Sequence, residues 1–174
     1  MEKKIKVLIV DDHTLLRKGV IAMLEPREEF EIVGEAEDGE EAVKKAIELQ
    51  PDVVLMDLIM PKKDGLVAIR EIKYINPKIN ILVLTSFSED DRVINALKNG
   101  ATGYVLKTSS HQELVKAILD VNQNELTLYP TIAKKLLNTI RKNQIDDNVT
   151  LTVKEIEVLK LIAQGLSNQE IAEA

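Results

Sequence analysis

The sequence predicts an α/β fold: a doubly wound, five-stranded parallel sheet, followed by a smaller all-α piece. Three observations predict it. Five short apolar runs each precede a stretch with apolar residues at helical spacing. The runs show little alternation of polar and apolar residues, as strands covered on both faces do. Beyond Asn122 the alternation of strand and helix stops. With right-handed crossovers, five such repeats make a three-layer sandwich.

Ile5 to Val10 is the first strand, and it ends in Asp11-Asp12. Thr14 to Leu24 follows as a helix, with Leu15, Leu16, Val20, Met23 and Leu24 expected on its apolar side and Pro26 as its stop. Phe30 to Ala36 holds strand two. Asp38-Gly39-Glu40-Glu41 opens the next helix as an Asp-x-x-Glu variant of the capping box. Its apolar side is Ala42, Val43, Ala46, Ile47 and Leu49, and Pro51 closes it. Strand three, Val53 to Met56, runs into Asp57, and Pro61 to Gly65 is a loop. A helix from Leu66 to about Ile75 stops at Asn76-Pro77. Strand four is Ile79 to Thr85. The helix opened by Ser88-Glu89-Asp90-Asp91 runs through Leu97 to a C-cap at Asn99-Gly100. Strand five is Gly103 to Leu106, ending in Lys107. Ser110 to Glu113 is a full capping box for a helix to about Val121.

After a connection over Gln123 to Pro130, Thr131 to about Asn143 reads as a helix with Ile132, Ala133, Leu136, Leu137 and Ile140 on one side. Asn143 to Asn148 is polar and acidic and reads as a linker. Thr152-x-x-Glu155 and Ser167-x-x-Glu170 are two further capping boxes, each with Leu before the cap and Ile at the staple position. Gln164-Gly165-Leu166 makes the tight turn between them, as in the opening of a helix-turn-helix.

Composition narrows the chemistry. The chain has no Cys and two His, which excludes a disulfide framework, a thiolate metal site, a cysteine nucleophile and a histidine-rich metal site. No apolar run approaches ~18 residues and the start is not a secretory signal, so no membrane contact and a cytoplasmic location are expected. Up to Asn122, 17 basic residues stand against 22 acidic ones; beyond it, 6 stand against 7. Neither part is a basic nucleic-acid-binding surface.

The strand ends carry the functional signal. Asp11, Asp12 and Asp57, the hydroxyls of Thr85 and Ser86, and the amine of Lys107 collect at the carboxyl edge of one sheet, where open α/β sheets bind ligands. Three carboxylates repel one another, so ionising them together requires a cation. Mg²⁺ suits carboxylate, carbonyl and water ligands and binds phosphate oxygens. A carboxylate can be the nucleophile in phosphoryl transfer. Against this stands a plainer reading of each residue alone: Asp12 as a cap of the helix at Thr14, Lys107 as a solvated lysine, Thr85 as a β-branched strand residue. Four strand ends with complementary chemistry outweigh it.

The motifs Val10-Asp11-Asp12-His13, Met56-Asp57-Leu58-Ile59-Met60-Pro61 with Asp64-Gly65, Leu84-Thr85 and Gly103 to Lys107 resemble the receiver domain of two-component response regulators, over Ile5 to about Val121. The resemblance implies a flavodoxin-like receiver over 1–122. It implies phosphorylation of Asp57 by a sensor histidine kinase, and Mg²⁺ held by Asp12, Asp57 and the Ile59 carbonyl with help from Asp11. It further implies a switch pair of Thr85 and Tyr104, and a phosphoryl contact from Lys107. Leu151 to Leu159 and Gly165 to Ala172 resemble the start of the LuxR/NarL-type output domain, placing a linker with its helix at 123–148 and that domain's N-terminal part at 149–174. In the family a DNA-reading helix follows. It is absent from these 174 residues, so the chain reads as a truncated transcription factor, with promoter DNA a partner of the full-length form only. Phosphorylation is expected to promote a homodimer in which Tyr104 turns inward.

Two positions depart from the family. Thr108 follows Lys107 where many receivers have Pro, and a cis peptide there without Pro would cost ~3 kcal/mol. Ile59 is apolar where many receivers are polar. A phosphohydrolase of the haloacid-dehalogenase type would need a second acid at Ile59, so a dedicated enzyme is not expected. A nucleotide-binding domain lacks its Gly-rich loop after strand one. A stand-alone receiver acting through protein contacts remains the alternative.

Overall fold

The computed structural model describes residues 3–86, 90–125, 133, 134, 137 and 152–173. The chain forms two compact units, Met1–Thr127 and Leu128–Ala174.

In the first unit β1 (Ile5–Val10), β2 (Phe30–Ala36), β3 (Val53–Asp57), β4 (Asn80–Thr85) and β5 (Gly103–Leu106) form one parallel sheet in the order β2-β1-β3-β4-β5. Every residue of β3 is buried, as its unbroken apolar run requires. The helices are α1 (Thr14–Leu24), α2 (Gly39–Leu49), α3 (Gly65–Ile75), α4 (Asp90–Lys98) and α5 (His111–Asn122). α2, α3 and α4 lie side by side in that order, while α1 and α5 border a small apolar cleft of about 180 Å³. Strand order reverses between β1 and β3, so a crevice opens at their carboxyl ends. Asp11 and Asp57 sit there because the apolar runs before them are consumed by the core: Val7 to Val10 and Val53 to Met56 are wholly buried.

Local chemistry sets the element ends. Ser110 and Glu113 form both arms of the expected capping box. α4 ends in a Schellman motif: Gly100 N–H donates to Leu97, Ala101 N–H to Ala96, and Gly100 takes φ +102°. The Asp38 box differs from expectation. Asp38 Oδ1 accepts from the N–H groups of Glu40 and Glu41, but Glu41 reaches back to the N–H of Glu37 rather than Asp38. Asp38 Oδ2 is instead taken by Lys62 at 2.6 Å, whose ammonium, together with those N–H groups, holds the carboxyl below its usual range. Two residues assigned to apolar stripes lie outside the core: Leu15 is 88% exposed and Ile47 is 44% exposed. The inner face of α1 runs through Arg17, Val20 and Leu24 instead. Ser88 and Glu89, the expected start of α4, fall outside the described residues.

In the second unit α6 (Val153–Ala163) and α7 (Asn168–Glu173) each open with the expected capping box, Thr152 with Glu155 and Ser167 with Glu170. Gly165 at φ +91° closes a second Schellman turn, with N–H donation from Gly165 to Ile162 and from Leu166 to Leu161. Most of the helix expected over 131–143, and the linker at 143–148, lie outside the described residues. Of that helix, Ala133, Lys134 and Leu137 are helical. Ala133, Ile162 and Ala163 form a small buried cluster flanked by Leu137 and Ile171.

One glycine fixes the loop after β3. A Cβ on Gly65 would collide with the Asp57 carbonyl oxygen and lie 2.8 Å from Leu58 Cα, while Gly65 N–H donates to the Leu58 carbonyl at 3.0 Å. Gly65→Ala is therefore expected to destabilise the first unit by about 2–3 kcal/mol through overpacking against main chain that cannot retreat. Urea unfolding followed by circular dichroism measures it, and a variant as stable as the parent would contradict the packing described.

Candidate functional site

The crevice gathers the predicted acids. Asp11 is fully buried, Asp57 is 3% exposed, and Asp12 stands half-buried at the rim. Lys107, at the end of β5, reaches across β4: its Nζ lies 2.7 Å from Asp57 Oδ2 and 2.8 Å from Asp11 Oδ2. Main-chain donors hold the other oxygens. Asp57 Oδ1 accepts from Leu58 N–H at 2.8 Å, and Asp11 Oδ1 from His13 N–H at 2.8 Å. Asp12 does not cap α1; the N-cap is His13, whose side chain makes no cap bond. Asp12 Oδ1 is shut from solvent and lies 2.8 Å from His13 Nδ1.

Charge decides what this arrangement can take. Three carboxylates face one ammonium, so two unit negative charges stay uncompensated if all three are ionised. Burial pushes the Asp57 carboxyl above its usual range, with Asp11 adding repulsion, despite the opposing pull of Lys107. Burial lowers the Lys107 ammonium, but the hydrogen bonds to Asp11 and Asp57 outweigh it and its pKa ends above the usual lysine value. Single ligand atoms of Asp11, Asp12, His13 and Asp57 lie within 4.8 Å of one another. This donor set fits a divalent cation and is consistent with Mg²⁺.

Thr85 ends β4 next to Asp57, is buried, and its Oγ1 donates to the Ser86 carbonyl at 3.3 Å. Tyr104 pairs with Val83 on the adjoining strand and is buried, 3% exposed. The Ile59 side chain is half exposed, and its N–H approaches Asp57 Oδ1 at 3.5 Å. No peptide bond among the described residues is cis, the one after Lys107 included.

Two arginines escaped the sequence reading. Arg17 Nη1 donates to the Asp11 carbonyl at 2.6 Å while its Nε pairs with Glu35 of β2 at 3.2 Å, tying the acidic turn to the sheet edge. Its signal was a charge three and seven residues before Val20 and Leu24, on the buried stripe. Arg92 of α4 donates from Nη2 both to the Leu58 carbonyl, at 3.2 Å, and to Asp64, the N-cap of α3. Nothing in the sequence pairs positions 58, 64 and 92.

The raised pKa of Asp57 has a thermodynamic sign. The fold binds a proton there more tightly than the unfolded chain does, so stability falls as pH rises from the unfolded value toward the folded one, and stays lost above it. With chelator present, Asp57→Asn is expected to raise Tm at pH 7.5 by roughly 4 °C, about 1 kcal/mol, with the gain vanishing near pH 4. Calorimetry across that range checks it; a variant less stable at pH 7.5 would refute the assigned cost of the carboxylate.

Comparison with known proteins agrees with this geometry. Residues 7–119 match the family described as response regulator receiver domain, and residues 149–174 match bacterial regulatory proteins of the luxR family. The response regulator protein VraR of Staphylococcus epidermidis is 44% identical over 170 residues, covering 98% of this chain and 81% of that protein. The structure of a LuxR-family two-component response regulator from Aurantimonas sp. SI85-9A1 superposes with TM-score 0.72 at 32% identity, over 80% of this chain and 99% of that one. A structure described as a DNA-binding response regulator of the LuxR family from Staphylococcus aureus superposes with TM-score 0.64 at 31% identity, over 68% and 98%. Receiver fold, acidic crevice and paired C-terminal helices thus coincide in one chain, which belongs to the LuxR-type response regulators.

Proposed function

We propose that this response regulator accepts a phosphoryl group on Asp57 from a sensor histidine kinase in the cytoplasm, and that the modification controls dimerisation and, through the LuxR-type domain, DNA binding for transcription. The bridging of Asp11 and Asp57 by Lys107 carries the reading. A carboxylate oxygen of Asp57 attacks phosphorus, the bond from phosphorus to the donor breaks, and the donor leaves with that electron pair. Lys107 is placed to exchange one carboxylate partner for a phosphoryl oxygen, and Leu58 N–H keeps the carboxyl plane fixed during attack. Asp11, Asp12, Asp57 and the Ile59 carbonyl would hold Mg²⁺, which when bound neutralises charge on the phosphoryl oxygens. The family membership makes the chain a signalling protein rather than a dedicated enzyme.

The modification adds about −1.5 to −2 charges and three acceptor oxygens beside Thr85. Thr85 can trade its weak 3.3 Å bond for a charge-assisted one, moving the end of β4 under α4 and beside Tyr104. That movement reshapes the face of α4, β5 and α5, the surface proposed for a two-fold contact. The exposed Leu15 on α1 makes that helix the rival surface.

Incubation with Mg²⁺ and a small phosphodonor is expected to add one phosphoryl group to the intact mass, and none to Asp57→Asn. Equal labelling of the variant would refute the assignment. In light scattering at about 50 µM protein, a concentration suited to weak interfaces, beryllofluoride is expected to convert monomer to dimer. Thr85→Ala should shift less; an unchanged mass in the parent chain would refute the coupling.

A further inference from the structure

β4 opens with a polar residue where burial calls for an apolar one. Asn80 precedes the run Ile81-Leu82-Val83-Leu84 and is 7% exposed. Its Oδ1 accepts from Thr102 Oγ1 at 3.2 Å, and that hydroxyl in turn accepts from Ile81 N–H at 3.3 Å. These two bonds fix the orientation of the amide and leave its Nδ2 without an acceptor among the described residues. Nor is Nδ2 sealed in. It borders an open cleft of about 450 Å³ at the amino ends of β3 and β4, the end of the sheet opposite Asp57. A buried amide nitrogen with no acceptor is costly unless something outside the chain supplies one.

The rest of the cleft carries the same chemistry. Gln50, Asn76, Asn122 and Asn124 add four more carboxamides. Gln50 Oε1 and Asn76 Nδ2 are bonded to each other at 2.8 Å, but the side-chain amides of Asn122 and Asn124 bond to nothing among the described residues. The cleft calls for no ion. Asp52 has one oxygen on the Lys3 ammonium and the other on the Lys6 N–H. Lys78 is the single ammonium among the described lining residues. α2, α3 and α5 all end beside the cleft, capped by Gln50, Asn76 and Gln123, so their carbonyl ends oppose an anion. What suits free amides without charge is a set of adjacent hydroxyls, each of which accepts from an amide N–H and donates to an amide oxygen.

We propose that this cleft binds a neutral polyhydroxylated ring, a sugar or a cyclitol, through the amides of Asn80, Asn122 and Asn124. Asn80 Nδ2 donates to one ring hydroxyl at the floor, and the two outer amides take its neighbours. No aromatic ring is among the described lining residues, so hydrogen bonds hold the ligand without stacking, and a Kd on the order of 1 mM is expected.

NMR of the ¹⁵N-labelled side-chain amides tests this in the full chain. The titrants are myo-inositol and, separately, methyl β-D-glucopyranoside, each taken to about 20 mM, well above that Kd. At least one ring is expected to shift the NH₂ signals of Asn80, Asn122 and Asn124 along a saturating curve, and which ring does so tells cyclitol from sugar. Asn122→Ala is expected to weaken binding about fivefold or more, and Asn80→Val to abolish it. Asp57→Asn should leave it within about twofold, because the two ends of the sheet share no partner. Should Asn80→Val fail to fold, Asn122→Ala decides alone. Signals that stay put with both rings, or that drift without saturating, overturn the site. So does Asn122→Ala binding as tightly as the parent. An equal or stronger response to glucose 1-phosphate or to spermidine overturns the assignment to neutral ligands.

Discussion

Charge balance at the crevice between β1 and β3 governs the first unit. Burying Asp11 and Asp57 side by side sets two carboxylates against desolvation and against each other, and Lys107 offsets one of them. The upward shift at Asp57 is the residue of that contest. Much of the surrounding structure serves to hold the groups in place regardless. Peptide N–H groups of Leu58 and His13 fix the carboxyl orientations, Arg17 fixes the Asp11 main chain, and Gly65 lets the loop after β3 press against the strand it leaves. The carboxylates are thus held in fixed orientations by the fold itself, which is what electrostatic preorganisation requires.

The fold was legible because its signals are local. Buried strands write themselves as short apolar runs, and the three Ser/Thr-x-x-Glu boxes and the Asn99-Gly100 and Gly165 turns each satisfy backbone groups within a few residues. The acids and Lys107 were legible for a topological reason: parallel strands deliver their carboxyl ends to one edge, so their last residues meet.

What was not legible depends on tertiary placement. Leu15 and Ile47 fit helical stripes, yet the register of each helix against the sheet turned them outward. Arg17 occupies an inner position that periodicity assigns to an apolar residue, because the Asp11 carbonyl and Glu35 await it there. Asp38 lost the second arm of its box to a competing geometry one residue earlier, and gained Lys62, a partner 24 positions away. The His13 ring turns back to within 2.8 Å of Asp12, a contact that side-chain torsions rather than spacing decide.

Arg92 adds a mechanical property to this electrostatics. One nitrogen, Nη2, holds both the Leu58 carbonyl and the cap of α3, so the two bonds are made and lost together. Leu58 presents its N–H to the Asp57 carboxylate and its carbonyl to α4, which makes a single peptide plane the joint between the acid and the helix. The neighbouring Nε is buried without a hydrogen-bond partner, which reduces what the tether contributes. Val93, Ile94 and Ala96 are buried as well, so the joint adds a polar tether to a helix already seated by apolar packing. A turn at that joint would therefore be felt at the acid and at the helix together.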